Sequence, residues 1–369
     1  MGGLRVHYDR RCFLAEGLGV TVLRCVPYAP GMQEAWDRFA LSHGTIFHST
    51  AFRRILLESF DYQCGYRAFV DEQSGEFKAL LPLVMGRNLG LKRVAVSLPF
   101  VNHLDVCAVD EESCKFVLNA VTDLQQKMHL NSVELRLKNQ DLNLQGWQPH
   151  LQNFTFVLPL LDSEEATLAQ ASASCRNHVR KTYKNEWFEV SFDPGRLPDF
   201  YPVYVRRMKQ LGSPAPSKGF FERFFRYLPE NAVLLTVLDK ADGRVVGGML
   251  LLKDPANATL YYPFGANLVE YNHQYLNNFM YWEAVRFGIR QGMKFLDLGR
   301  SPDGSGTYQY KLQWGARPEQ LKYLYHGNGG GKIGPPDREQ LGFLIELWKG
   351  LPVFITGPVG KKLIRYVMP

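Results

Sequence analysis

The segment from Phe295 to Pro318 brings an acidic residue, a glycine-rich loop and a lysine close together: FLDLGRSPDGSGTYQYKLQWGARP. Its apolar start, Phe295–Leu298, predicts a buried strand that contains Asp297. The next stretch, Gly299–Gly306, is rich in Gly, Ser, Pro and Asp and predicts a loop. Thr307–Trp314 predicts a short helix. A strand, a loop and a helix start in this order favour an anion-binding site.

The start of the predicted helix is where an anion would bind. Ser305 or Thr307 can cap it, and the free backbone N–H groups and helix dipole favour negative charge there. Lys311 follows one turn later, where its cation could meet a phosphate or an oxyanion. Arg300, Ser305 and Gly306 are therefore candidate substrate-binding residues. The alternative is a capped helix that carries a solvated lysine.

The motif Asp-x-Gly, a Gly/Ser loop, then Gly-Thr-Tyr-x-x-Lys-x-x-Trp-Gly-Ala resembles the closing motif of the FemABX-like acyltransferases. It is most similar to the Fem-like group linked to bacterial exopolysaccharide and exosortase gene clusters. The resemblance is best from about Cys175 to Pro318, and weaker near His48 and around Pro99–Asp105. It implies GNAT-like domains and acyl transfer, and it leaves the donor and the acceptor open.

A basic helix precedes this motif in the segment SASCRNHVRKTYKNEW. Arg176, Arg180 and Lys184 recur every four residues and share one helical face. Guanidinium and ammonium groups in a stripe can grip phosphates. Fem-like proteins carry a similar Arg-containing helix, so the resemblance also implies substrate binding here. The alternative is a solvated basic face.

A second polar group, Asn102, His103 and Asp105, follows a predicted strand, where clefts tend to form in open α/β sheets. The resemblance places an acceptor-binding surface in this half of the chain, with Asn102 and His103 as candidates. The alternative is a turn whose Asn and Asp bond to their own backbone, which we favour for Asp105. His48 is interpreted as a helix-entry residue.

Mixed strands and helices along the whole chain predict an α/β fold with mixed sheets of the α+β type. In the second half, three meander strands are followed by a loop, the helix Tyr275–Arg290, a strand and a helix, which is the order of a GNAT domain. We predict two GNAT-like acyltransferase domains. The first spans residues 1–161 together with a returning tail, 318–369, and the second spans 162–317.

The loop Gly265–His273 distinguishes between donors. GNAT enzymes that bind acetyl-CoA have Gln/Arg-x-x-Gly-x-Gly/Ala here, which cradles the pyrophosphate. This loop lacks the spaced glycines and the cation, and Glu270 would repel phosphate. The departure favours a Fem-like donor over acetyl-CoA.

Composition points to an anionic partner. The chain has 369 residues, 46% hydrophobic and 21% charged, which is enough for two cores. Its net charge of +7 favours RNA, a nucleotide sugar or an acidic membrane face. The charged N-terminal segment does not resemble a signal peptide, and no apolar run is long enough to cross a membrane. We therefore predict a cytoplasmic protein, in contact with the inner membrane face if its tail binds lipid.

The six cysteines show neither C-x-x-C spacing nor a Cys/His cluster, so we predict free thiols and no metal site. They are Cys12, Cys25, Cys64, Cys107, Cys114 and Cys175.

The C-terminal region follows a predicted flexible linker, GNGGGKIGPP. A helix is predicted over Leu341–Trp348. The remaining tail mixes apolar residues with Lys361, Lys362 and Arg365, so it could lie on an anionic membrane face. The alternative is that it packs back on the first domain.

The predicted reaction is aminoacyl transfer from an aminoacyl-tRNA to an amine of a cell-envelope or exopolysaccharide precursor. The acceptor would be a glycan, a nucleotide sugar or a lipid-linked molecule. Lys311 would stabilise the oxyanion or a terminal phosphate, Tyr308 would relay a proton, and Asp297 would accept from the amine or anchor the loop. No nucleophile triad stands out, so we predict direct transfer without a covalent enzyme intermediate. We predict no tightly bound cofactor, with aminoacyl-tRNA or acyl-CoA as the co-substrate.

Two alternatives remain open at this level. One is an acyl-CoA-dependent N- or O-acyltransferase of exopolysaccharide biosynthesis. The other is a non-catalytic protein that uses the same fold to bind an anionic glycolipid or nucleotide. The sequence does not determine the oligomeric state.

Overall fold

The computed structural model describes residues 22–140, 145–327 and 338–368. Cys12, the charged N-terminal segment and residues 328–336 of the predicted linker lie outside these ranges. Gly327, which we predicted as the first linker residue, instead ends a strand.

The first part of the chain alternates short strands with three α-helices. The elements are β1 Leu23–Pro27, α1 Gln33–His43, α2 Thr50–Ser59, β2 Gln63–Cys64, β3 Arg67–Asp71, β4 Phe77–Leu81, β5 Val84–Arg87, β6 Arg93–Val96, β7 Cys107–Ala108, α3 Glu111–Lys127 and β8 Ser132–Leu137.

The second part begins with a long strand and contains the antiparallel meander. The elements are β9 Gln148–Pro159, α4 Glu164–Ala169, α5 Ala173–Lys184, β10 Phe188–Ser191, α6 Leu197–Gln210, α7 Lys218–Tyr227, β11 Ala232–Asp239, β12 Val245–Asp254, β13 Thr259–Asn267, α8 Leu276–Arg290, β14 Phe295–Asp297, β15 Ser301–Pro302, α9 Gly306–Leu312, β16 Arg317–Gly327, α10 Arg338–Gly350 and α11 Val353–Val367.

One mixed sheet of twelve strands runs through both parts of the chain. Its order is β10-β11-β12-β13-β14-β9-β16-β8-β6-β5-β2, with β15 also paired to β9. It is continuous because β9 pairs with β14 at one end and with β16 along the rest of its length. A smaller sheet has the order β1-β3-β4-β7. The mixed sheets confirm the predicted fold class, whereas the domain boundaries at 161 and 317 stay predictions.

Aromatic packing also joins the two parts of the chain. Phe52 of α2 lies 5.8 Å from Phe224 of α7 between ring centroids, and Phe60 lies 5.3 Å from Phe220. These residues belong to one buried apolar cluster that draws on both parts of the chain. A cleft between the parts is therefore held by a packed core rather than by a flexible hinge.

The C-terminal helices return to both parts of the chain. Helices α10 and α11 follow the predicted linker. Helix α10 packs on α6, and α11 packs on both α6 and β5. Arg365 near the end of α11 forms an ion pair with Asp61. The predicted helix Leu341–Trp348 is present within the longer α10.

Arg136 is a buried residue that ties three segments together. Its side chain donates to the Glu134 carboxylate at 2.6 Å and to the carbonyl oxygens of Val101 and Met368 at 3.0 Å each. We expect Arg136→Met to lower the free energy of unfolding by about 3–5 kcal/mol, because it leaves a carboxylate and two carbonyls without their donor. Urea denaturation measures this, with the exposed Arg93→Met as control; equal effects of the two would contradict the prediction.

Candidate active site

Two parallel strands separate at Asp297. β13 and β14 pair over three residues, and Tyr261 lies opposite Asp297 in the last pair. β14 ends there, whereas β13 continues to Asn267. The separation opens a crevice beyond the carboxyl end of β14, where open α/β sheets usually bind ligands. Its lining includes Phe47 and His103 from the first part of the chain.

Asp297 is buried and fully engaged at this point. Its Oδ1 accepts hydrogen bonds from Thr155 Oγ1 and from the Gly299 amide, each at 2.7 Å, and its Oδ2 accepts from His103 Nε2 at 3.1 Å. Burial by itself would raise the pKa of Asp297, but His103, Thr155 and Gly299 together hold that pKa below its ordinary value. The carboxylate is therefore ionised at neutral pH.

Gly299 makes the turn that brings its own amide back onto Asp297. Its φ of 77° lies in the left-handed region that favours glycine. A Cβ at this position would also lie 3.1 Å from Asn102 Nδ2. This geometry matches the loop-anchoring alternative that the sequence offered for Asp297.

His103 connects the buried carboxylate to open space. Only 10% of its side chain is exposed, yet it lines both the crevice and a neighbouring cleft of about 420 Å³, whose walls include Lys138, Thr259 and Glu319. Because a carboxylate can only accept, His103 Nε2 carries a hydrogen, and in the neutral imidazole Nδ1 then keeps a lone pair. The ring can therefore take up a proton from a group bound beside it.

The Lys311 side chain is buried, so the alternative interpretation of a solvated lysine is wrong. The residue is 5% exposed, and its ammonium donates to the carbonyl oxygens of Gly299 and Arg300 at 2.8 and 3.1 Å. It also lies 5.2 Å from the centre of the Phe156 ring. Burial lowers the pKa of Lys311 to about 8; the Asp297 charge opposes this effect and Arg300 adds to it. Contact with an oxyanion stays a prediction, since in this structure the ammonium holds the loop.

The short helix α9 begins one residue earlier and ends two residues earlier than predicted. Ser305 is its N-cap, and its Oγ accepts from the Tyr308 amide at 3.2 Å. Gly306, the first helical residue, is exposed. The half-buried Tyr308 packs edge-on against Phe156 with the ring centroids 4.9 Å apart. The predicted loop also contains a strand, β15, that the sequence did not indicate.

Asn102 and Arg300 meet through a residue that sequence reasoning missed. The Tyr323 hydroxyl of β16 donates to the Asn102 carbonyl oxygen and accepts from Arg300 Nη1 at 3.2 Å. The structure thus gathers Asn102, His103, Asp297, Arg300 and the Lys311 ammonium around one loop, although they come from two segments far apart in the sequence.

The basic stripe lies elsewhere, on α5. Arg176 donates to the carbonyl oxygen of Ala171 and is half-buried, whereas Arg180 and Lys184 are exposed. Within the described residues, neither Arg180 nor Lys184 makes a hydrogen bond or ion pair to the Asp297 cluster. Arg180 only bonds Asn177, at 3.4 Å.

The helix α5 instead lies beside the start of α8. His178 stacks on Tyr275 with the ring centroids 4.1 Å apart, and Lys181 Nζ lies 5.4 Å from the centre of the same ring. Tyr275 is the N-cap of α8 and has a left-handed backbone, with no side-chain hydrogen bond to the first amides of the helix. A helix start without a side-chain cap, beside a cation, is attractive to an anion.

The predicted loop before α8 is more ordered than expected. Residues 265–267 belong to β13, and Val269–Gln274 form a 3-10 helix. Glu270 forms an ion pair with Arg206 at 3.0 Å. The expectation that Glu270 would repel phosphate is therefore weakened, because its charge is partly balanced.

Sequence reasoning missed Thr155, Tyr323, His178 and Tyr275. Thr155 had a usable signal, since it is a polar residue between Phe154 and Phe156 in an apolar strand. The other three acquire their positions from contacts between distant segments, and no local pattern marks them as site residues.

The described ranges contain neither a metal-ligand cluster nor a membrane-spanning helix. They contain no group of three or more His, Cys, Asp or Glu side chains placed to hold a metal ion. In the same ranges, no helix combines the length and the apolar character needed to cross a bilayer. The five cysteines that they contain are free thiols.

Residues 169–312 match the family described as acetyltransferase (GNAT) domain. No curated protein matches the whole sequence significantly. Among solved structures, FemX superposes with a TM-score of 0.63 and 14% identity, over 82% of this chain and 96% of FemX. L-PGS from Bacillus licheniformis superposes with a TM-score of 0.56 and 13% identity, over 88% of this chain and 98% of the L-PGS chain.

A tandem GNAT protein from the clavulanic acid biosynthesis pathway gives a TM-score of 0.54 at 11% identity, over 84% of this chain and all (100%) of its own. These structures share the fold of this chain, and the last of them is described as a tandem GNAT protein. Together, the matched domain and these structures show that residues 169–312 form a GNAT acyltransferase domain and that the chain as a whole has a fold like that of FemX.

Proposed function

We propose that this acyltransferase moves an aminoacyl group from an aminoacyl-tRNA to an amine of a cell-envelope or exopolysaccharide precursor. The single observation that carries the proposal is the His103–Asp297 pair at the crevice between β13 and β14. It supplies a proton acceptor for an attacking amine beside a cleft with walls from both parts of the chain.

The donor side of the proposal rests on the start of α8. A CoA pyrophosphate normally lies over spaced glycines before this helix, and here a 3-10 helix with Glu270 occupies that place. The cations of α5 lie beside it, on an exposed face that suits a long polyanion. Arg180 and Lys184 would contact donor phosphates that lie away from the reacting ester. Arg176 would join them with the part of its guanidinium that is not bonded to the Ala171 carbonyl oxygen.

The proposed chemistry needs little beyond positioning and proton transfer. The acceptor amine attacks the ester carbonyl carbon, an amide bond forms, and the bond to the ribose oxygen breaks. His103 Nδ1 takes the proton from the amine, and the departing ribose hydroxyl gains one, with Tyr308 as a candidate relay. Lys311 acts as a positioning residue, because it fixes the carbonyls of Gly299 and Arg300 in the loop that follows Asp297.

The test compares two donors in single-turnover reactions with the full chain. Labelled aminoacyl-tRNA and labelled acetyl-CoA are each mixed with amine acceptors drawn from envelope and exopolysaccharide precursors. We expect acceptor-dependent loss of label from the tRNA. Transfer from acetyl-CoA alone would overturn the proposed donor, and a product lacking a new amide bond would overturn the proposed acceptor chemistry.

A second candidate, acyl transfer from acyl-CoA, has its own support. Residues 169–312 match a family of acetyltransferases, and the cleft of about 420 Å³ beside His103 offers space for an acyl group. Protection of residues 268–275 from hydrogen exchange by CoA would favour this candidate over the tRNA-dependent one.

Arg180→Ala is expected to weaken aminoacyl-tRNA binding about tenfold and to reduce the salt dependence of binding by about one phosphate contact. The reason is that its exposed guanidinium has no acidic partner among the described residues to compete with a phosphate. Filter binding over a range of salt concentrations measures both effects. Arg226→Ala, at an exposed position on α7, serves as a matched control. Equal losses of affinity in both variants would show that the basic stripe of α5 is only a solvated face.

A further inference from the structure

The two C-terminal helices expose an unusual amount of apolar surface. Phe343 of α10 and Phe354 of α11 are 78% and 77% exposed, more than any other large apolar side chain among the described residues. Leu344 and Leu347 are 56% and 53% exposed, and Leu211 at the end of α6 adds 51%. Such a patch on a folded chain marks a surface that meets something apolar.

The exposed side chains follow from how the helices pack. Both helices lie on α6, and Ile345 of α10 fits against Gly212, close enough that a Cβ there would lie 2.4 Å from its Cγ2. On α11 the buried residues Thr356, Gly360 and Ile364 recur every four positions. Helical spacing therefore turns the intervening residues away from α6.

We define the tail face as the outward apolar residues of the two helices: Phe343, Leu344, Leu347, Phe354, Ile355 and Val359. Each is exposed by at least 36%. The residues lie on two helices joined by a short turn, and neither helix is long and apolar enough to span a bilayer. An apolar stripe on a surface helix is the arrangement of segments that lie in the membrane interface.

Charge beside the tail face is predominantly positive. Lys361 and Lys362 are exposed on α11. The acidic residue of the region, Glu346, is already paired with Lys349 at 2.7 Å. Between residues 341 and 368 there are four cationic residues and one acidic residue, a net charge of 4 − 1 = +3.

The positive region continues past the end of α11. A cleft of about 480 Å³ there is lined by Arg87 and Arg93 of the sheet and by Arg365 of the helix. Asp61 in the same cleft is paired with Arg365, so Arg87 and Arg93 remain as cations. Phosphate groups of lipids would find several cations along this side of the molecule.

We propose that the tail face docks on the surface of an anionic lipid bilayer. Phe343 and Phe354 would enter the boundary between headgroups and acyl chains, while Lys361 and Lys362 would remain among the lipid phosphates. A second copy of the chain fits this face less well. A contact between two copies would bring a second set of the same cations into one interface, and like charges would repel.

Vesicle sedimentation of the full chain tests the docking without using transfer activity. The probes are vesicles of phosphatidylcholine alone and of an equimolar mixture of phosphatidylcholine with phosphatidylglycerol. We expect binding to the mixed vesicles, weak binding to the neutral ones, and release as salt is raised. Binding only to neutral vesicles, or to neither, would overturn the proposal.

Matched variants locate the binding surface. Phe343→Ser combined with Phe354→Ser is expected to weaken vesicle binding at least about tenfold, because two aromatic side chains no longer leave water. Lys361→Gln combined with Lys362→Gln should remove the preference for the anionic vesicles. The control is Leu41→Ser with Leu91→Ser, since these residues are 67% and 61% exposed on the first part of the chain.

The outcomes separate docking from self-association and from the proposed reaction. If the phenylalanine variant dissolves a dimer seen by light scattering and leaves vesicle binding intact, the tail face is an interface between copies and the proposal fails. Equal losses in the control variant would also contradict it. Because the readout is binding, a failure of the proposed aminoacyl transfer would leave this result unchanged.

Discussion

Asp297→Asn is expected to lower the single-turnover rate of acyl transfer by about a hundredfold or more while leaving donor affinity within about twofold. Asparagine keeps an oxygen for Thr155 and Gly299, but it loses the charge that holds His103. Its amide group would also present N–H toward His103 Nε2, so the imidazole tautomer would change and the lone pair on Nδ1 would be lost.

The measurement uses saturating donor, so that slower chemistry is not confused with weaker binding. Asp37→Asn is the matched control, because Asp37 accepts two hydrogen bonds from Thr50 in the first part of the chain and lies outside the crevice. His103→Ala should reproduce the loss seen with Asp297→Asn, and the double variant should lose little more. An Asp297→Asn enzyme with the wild-type rate would remove the argument for a proton acceptor at this pair.

Lys311→Ala is expected to lower the free energy of unfolding by about 3–5 kcal/mol. The substitution leaves a cavity beside Phe156 and deprives the carbonyl oxygens of Gly299 and Arg300 of their donor. Because these carbonyls belong to the loop that holds Asn102 and Asp297 in place, the transfer rate should fall about a hundredfold as well.

Urea denaturation and single-turnover transfer measure the two effects. Lys294→Ala is the control, since that lysine lies beside the same strand but 62% of its side chain is exposed. Its unfolding free energy should change by less than about 0.5 kcal/mol. A Lys311→Ala variant with wild-type stability would show that the buried ammonium contributes nothing to the loop.

Because Lys311 is buried, we also expect the free energy of unfolding to depend on pH in a way that a solvated lysine would not cause. Its pKa falls from 10.5 to about 8 on folding, so between these values the unfolded chain binds more protons at this site than the folded chain. The contribution of Lys311 to the free energy of unfolding therefore rises as the pH increases from about 8 to 10.5. The difference in unfolding free energy between wild type and Lys311→Met should increase from pH 8 to pH 10.5, and a constant difference would contradict the lowered pKa.

The glycine loop illustrates how much local pattern reveals. The strand around Asp297, the Ser305 cap and the helix of Lys311 were all predictable, because apolar runs, capping residues and glycines act over a few neighbouring residues. The direction in which Lys311 points was not predictable. Whether a lysine on a seven-residue helix faces water or the core depends on what packs beneath it, here Phe156 on β9.

The sequence by itself determined the class of fold, the order of strands and helices in the second half of the chain, and the choice of Asp297, His103 and Lys311 as candidate residues. Only the tertiary structure decided that His103 meets Asp297, 194 positions away, and that the basic helix α5 lies beside Tyr275 rather than at the loop. The physical reason is that secondary structure follows from short-range spacing and propensity. Contacts across the sheet depend on which strands become neighbours, which the packing of the whole core selects.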